Sequence, residues 1–146
     1  MRSFGIKFGY YDPSDWELAA IIDPVIDNWS DIMVAQTNIV NAVSVSDEEK
    51  LNMIKSYITN EVLKFHLLVE NRLELTQGKF IAGNRLTICD FVLLSYTANV
   101  IRNTKSPFCA VTAAIMSRNP QMLEYTETLM TEFAEILNAR TKLSAL

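Results

Sequence analysis

An all-α fold follows from three features of the sequence. Apolar residues recur at the three-and-four spacing of a helix through five successive segments. A Ser, Thr or Asn stands at the head of each segment, followed by an acid three residues on or by a proline at the first helical position. Four glycines and four prolines in 146 residues are too few turn formers for a many-stranded sandwich or barrel.

The first helix is expected at about 14–43. It opens on Ser14-Asp15-Trp16-Glu17, a capping box in which the serine oxygen takes a first-turn amide while the glutamate reaches back. Its stripe is Leu18, Ile21, Ile22, Val25, Trp29, Ile32, Met33 and Val40. Pro24 lies inside it, removing an amide donor and crowding the Ala20 carbonyl at a cost of ~3 kcal/mol. Because the stripe keeps its phase across Pro24, the helix is expected to kink there and continue.

The second helix, 47–76, follows the box Ser46-Asp47-Glu48-Glu49, with Leu51, Ile54, Ile58, Phe65, Leu68 and Leu75 as its stripe. Turns are expected at Gln77-Gly78 and Gly83-Asn84. Thr87-Ile88-Cys89-Asp90 then opens the third helix, 88–104, as a box with Asp in place of Glu. Ser106-Pro107 and Asn119-Pro120 open the fourth and fifth, at 107–116 and 120–140. The fifth repeats at Leu123, Thr126, Met130, Phe133 and Leu137, with Arg140 and Lys142 near the negative end of its dipole. Residues 1–13 read as a linker-like N-terminal segment and 14–146 as one helical domain.

Composition narrows the function classes. Hydrophobic residues at 49% exclude a disordered tail. Thirteen Lys and Arg against seventeen Asp and Glu leave a net charge of −4, with no basic face for phosphates, so no nucleic-acid partner is expected. The single histidine, His66, and the lack of any Cys-x-x-Cys exclude a His-cluster or zinc-ribbon metal site. The longest apolar run, Phe91–Ile101, is broken by Ser95, Thr97 and Asn99 and falls short of the ~20 residues of a membrane span. Cys89 and Cys109 sit in apolar runs and read as reduced core thiols, which places the chain in a reducing intracellular compartment, cytoplasmic by default. Two basic residues and no acid before Asp12 give the N-terminus a mitochondrial flavour.

The segment Phe80-Ile81-Ala82-Gly83-Asn84-Arg85-Leu86-Thr87-Ile88-Cys89-Asp90-Phe91 resembles a hallmark of the C-terminal helical domain of glutathione transferases. There a turn ending in Ala-Gly and a Thr/Ser-x-x-Asp box open the buried central helix. Asp23, Asp27 and Asp31 form an acidic ladder similar to that of the sigma, mu and pi-like enzymes, and Pro107, Asn119-Pro120 and Tyr125 resemble the last two helices. Gly5-Ile6-Lys7-Phe8-Gly9-Tyr10-Tyr11 resembles the end of the thioredoxin-like domain and the start of the linker. The resemblance implies a fold, a helical bundle of this type. It also implies that about eighty residues of thioredoxin-like domain belong before Met1.

That domain carries most of the glutathione site and the thiol-activating residue, so the resemblance supplies no catalytic residue here. The one cofactor-binding residue it supplies is Asp31, whose counterpart reaches the γ-glutamyl amine of the partner's glutathione. At ~100° per residue Asp31 lies opposite the Leu18–Ile22–Trp29 stripe and reads first as a solvated acid on a charged face. Glutathione is therefore expected only if the missing domain is supplied. Tyr10, Tyr11, Trp16 and Trp29 read as core or interface packing or as the lining of an apolar ligand pocket. His66 reads as a satisfied or surface histidine, and Glu48 and Glu49 as capping and dipole groups. The expected function is a non-catalytic structural or interaction subunit with protein partners, as a homodimer or in a larger assembly. The alternatives are a truncated or split transferase and an apolar-ligand carrier.

Overall fold

Asp15, Ser46 and Asn119 each stand before a helix and accept from one of its first-turn amides. The structure, a computed structural model, describes residues 1–143, with side chains up to residue 139. The side chains of Arg140 and Lys142 lie outside the described residues. In order, the helices are α1 (Arg2–Phe8), α2 (Trp16–Asn41), α3 (Asp47–Ser56), α4 (Leu63–Thr76), α5 (Ile88–Tyr96), α6 (Cys109–Met116), α7 (Pro120–Glu132) and α8 (Ala134–Leu143). A π turn, Tyr57–Val62, runs α3 into α4, and a second, Thr97–Ile101, extends α5. No strand occurs among the described residues, so the all-α fold holds.

Four of the sequence expectations are met at the helix ends, or missed for a local reason. Ser46 and Glu49 form the full reciprocal box at the head of α3. Asn119 accepts from the Met122 amide at 3.0 Å, with Pro120 at the first position of α7. Ser14 does not cap α2. Its amide and hydroxyl both donate to Asp12, at 2.9 and 2.6 Å, and Asp15 takes over by accepting from the Leu18 amide at 3.0 Å. Ser106 likewise stops one turn short: its hydroxyl accepts from the Phe108 amide at 3.3 Å, and α6 begins only at Cys109.

The chain divides into two compact units, the first covering Met1–Val92. In it α2 packs against α3, the π turn and α4 around fully buried Ile22, Val25, Ile32, Tyr57, Val62, Phe65 and Val69. Each such side chain contributes roughly 1.5–3 kcal/mol by leaving water. Gln36, also buried, donates to the Tyr57 hydroxyl at 2.7 Å, and burial pushes the ionisation of that hydroxyl up to about 12.

Helix α2 runs unbroken through Pro24. The proline cannot donate to the Ala20 carbonyl, and the Arg72 guanidinium on α4 donates there instead, at 3.3 Å. Met33 and Val40, expected in the stripe, are exposed, while Ile26, Gln36 and Ile39 are buried. Leu51 and Leu75 are also exposed, while Phe65, Val69 and Leu73 are buried.

In the second unit, from Leu93 onward, α6 packs on the π turn Thr97–Ile101 and α7 meets α8. Its buried threonines bond back to their own helices: Thr97 to the Leu93 carbonyl and Thr112 to that of Phe108, both at 2.8 Å. An ion pair joins Arg102 to Glu127. The single helix expected over 120–140 is interrupted at Phe133. The buried stripe of α7 is Met122, Tyr125, Thr126 and Leu129: Thr126 is buried as expected, Leu123 and Met130 are half-buried, and the stripe ends before the break.

Candidate functional site

The first unit carries an apolar groove of about 430 Å³ lined by Met1, Phe4, Gly5, Phe8, Tyr10, Ile88 and Phe91. One wall is α1 and the other is the first turn of α5. What brings them together is a glycine. A Cβ built on Gly5 would stand 2.5 Å from Ile88 Cγ2 and 2.7 Å from Tyr11 Cβ, so no larger residue allows this approach without movement. The chain then turns back on itself, with the Tyr10 and Tyr11 amides donating to the Gly5 carbonyl at 2.8 and 3.2 Å. The Ile88 amide, a first-turn donor of α5, is taken by the Tyr10 carbonyl at 3.1 Å. The Tyr10 and Phe91 rings meet edge to face, 5.1 Å between centroids.

Polar contacts fix the other side of α1. Arg2 reaches Asp23 and Asp27, each at 2.8 Å, spanning one turn of α2. The buried Tyr11 hydroxyl donates to both oxygens of Asp23, at 3.0 and 3.1 Å. Burial, and then the Asp23 carboxylate, push the Tyr11 ionisation upward, and the two carboxylates push that of Arg2 upward. Phe4 and Phe8 nevertheless stay 69% and 60% exposed, rimming the groove with aromatic surface.

Below the groove, Asp90 organises the start of α5. Its fully buried carboxylate accepts from the Thr87 amide and hydroxyl at 2.7 and 2.9 Å and from the Ile81 amide at 3.1 Å. Ile81 sits in the tight turn closed by Phe80 and Gly83, and Gly83 takes a positive φ of 77° as that turn requires. The neighbouring Cys89 donates its thiol to the Ile22 carbonyl at 3.2 Å. Burial, then Asp90, push its pKa upward, which leaves it an inert core thiol.

Residues 34–132 match the family described as Glutathione S-transferase, C-terminal domain. The chain belongs to this family. No match was found among the curated proteins or among the solved structures. The stretch matched to the transferase C-terminal domain takes in Thr87–Asp90 and Asn119-Pro120, and it begins beyond Asp23, Asp27 and Asp31.

The acidic ladder, which precedes the matched stretch, divides. Asp23 and Asp27 are engaged by Arg2, while Asp31 is exposed and pairs with none of the described residues. A single exposed carboxylate offers a γ-glutamyl amine one screened ion pair, which alone is not a glutathione site. Of the four aromatic residues read as pocket or packing, Tyr10 lines the groove, Tyr11 is core, and Trp29 packs on Phe65 with centroids 6.3 Å apart. Trp16 is 74% exposed and does neither. His66 is buried on α4, where burial lowers its pKa to about 4. Glu49 caps α3 as expected. Among the described residues no three His, Cys, Asp or Glu side chains gather as a metal site, and no helix is long and apolar enough to cross a membrane.

Two contributors, Arg2 and Gly5, were missed in the sequence. Two aspartates one turn apart on a helix call for a cation, and Arg2 is the first arginine of the chain, so that signal was present. The role of Gly5 depends on its distance from Ile88, which no local pattern encodes.

Proposed function

We propose that this transferase-type domain works as a non-catalytic interaction module, a structural subunit that meets another protein through the groove beside α1. The observation that carries this reading is the groove itself, an apolar hollow rimmed by the exposed rings of Phe4 and Phe8. Contiguous apolar surface of this kind marks interaction sites. The partner is a second copy of the chain or a subunit of a larger assembly. The test is light scattering and affinity capture with the natural chain and with a Phe4→Ser/Phe8→Ser variant. The reading requires an assembly or a specific bound protein that the variant loses while its melting curve is unchanged. A natural chain that stays monomeric and captures the same proteins as the variant would overturn it.

Family membership favours a second reading, a glutathione transferase whose thioredoxin-like half is supplied upstream or by another chain. In that setting Asp31 is the residue offered to the γ-glutamyl amine. Sequencing the full transcript decides this directly, since an in-frame thioredoxin-like segment would replace the first reading with the second.

A further inference from the structure

We infer that α1 is a displaceable cover over the first turn of α5, able to leave without unfolding the helices behind it. Of its seven residues only Gly5 is buried, while Phe4, Ile6 and Phe8 are 69, 52 and 60% exposed. Docking therefore removes little apolar surface from water. A helix of seven residues does not persist on its own, so α1 keeps its form only while attached.

Three attachments hold α1 and the turn after it, beside the Tyr10–Phe91 ring contact and the Tyr11 hydroxyl on Asp23. The Arg2 clasp to Asp23 and Asp27 joins side chains that are 41, 36 and 65% exposed, where each ion pair changes a population only a few-fold. The close seat of Gly5 on Ile88 depends on one missing methyl group. The third is the hydrogen bond from the Ile88 amide to the Tyr10 carbonyl. The helices behind rest on Ile22, Val25, Phe65 and Val69, which are fully buried and whose neighbours do not include α1 among the principal helix contacts. Local opening draws on such weakly attached elements first.

When α1 leaves, Ile88 and Phe91 lose one wall of the groove and face solvent. The groove thus has a covered and an open state, and a ligand that prefers one shifts the balance. This concerns the chain by itself and stands whichever occupant the groove takes.

Amide hydrogen exchange by NMR on the whole chain tests it. The reporters are the Gly5, Tyr10, Tyr11 and Ile88 amides, all hydrogen-bonded in the docked form, compared with Phe65 and Val69 in the core. The reporters are expected to be protected together, yet to exchange at least about ten times faster than the core pair. Arg2→Gln should speed them a further three- to tenfold or so, and leave Phe65 and Val69 unchanged. Gly5→Ala should speed them more, since its new methyl group collides with Ile88. If Gly5→Ala fails to fold, Arg2→Gln decides alone. Reporters that exchange at the rate of the core, that show no protection at all, or that move in step with the core in Arg2→Gln would each overturn the inference.

Discussion

Asp90 does more at the start of α5 than its partner in the box. The spacing alone makes Thr87 and Asp90 equals, but the structure gives the carboxylate three donors, two of them backbone amides. Asp90→Ala strands those buried amides and is expected to cost about 2–4 kcal/mol, against about 0.5–2 kcal/mol for Thr87→Ala. The double variant should be sub-additive, because both side chains serve one helix end. Urea unfolding of the three variants checks the order, and equal losses for the two single changes would show that the carboxylate is not the organising group. His66 makes a different prediction. Burial holds its pKa near 4, below the ordinary 6.5, so between those values the unfolded chain binds the proton and the folded chain does not. Its contribution is complete above pH ~6.5 and is lost as the pH falls towards 4, by on the order of 3 kcal/mol in all. Unfolding midpoints measured from pH 7 to 4.5 should fall less steeply in His66→Gln than in the natural chain. Parallel curves would remove His66 as a cause.

At the scale of the element, α2 shows how a costly residue is accommodated. Pro24 leaves the Ala20 carbonyl without its helical donor, and Arg72 reaches over from α4 to supply one. Pro24→Ala restores the amide and is expected to stabilise the domain by about 1–3 kcal/mol. Arg72→Ala should destabilise the natural chain by about 0.5–1.5 kcal/mol and matter less once Pro24 is replaced. A thermal double-mutant cycle with zero coupling would show that the two residues act separately. Helix positions were legible in the sequence because caps and periods are local: Ser46, Thr87 and Asn119 all stand where their helices begin. The misses have two causes, one local and one of longer range. Ser14 lost its role to its neighbour Asp15, whose carboxylate accepts from the Leu18 amide, and burial falls on Gln36 and Ile39 instead of on Met33 and Val40. Arg2 and Gly5 belong to the candidate site through contacts with α2 and α5 that sequence order does not reveal.

For the whole molecule, the proposed binding role carries an expectation about catalysis. A group that lowers a thiol's pKa must offer a donor to the sulfur. The Tyr11 hydroxyl donates to Asp23, while that of Tyr57 accepts from Gln36 and is pushed up to about 12 by burial. On the proposed reading, the chain by itself conjugates glutathione to a generic aryl halide at the background rate only. Saturable turnover by the purified chain, unchanged after contaminating transferases are removed, would overturn this expectation.

The π turn between α3 and α4 has a consequence for chain length. Buried positions on either side of it are five apart, Tyr57 to Val62, where an α-helix would bring the face round in three or four. The segment Tyr57–Val62 thus holds one residue more than a regular helix needs to keep Phe65, Val69 and Leu73 facing inward. Removing exposed Asn60 should convert the bulge to plain α-helix with both flanks still in phase, whereas removing Glu70 should turn Leu73 out of the core. The shortened chain is expected to melt close to the natural one in the first case and far below it in the second. This stretch of backbone is where the domain tolerates a codon lost.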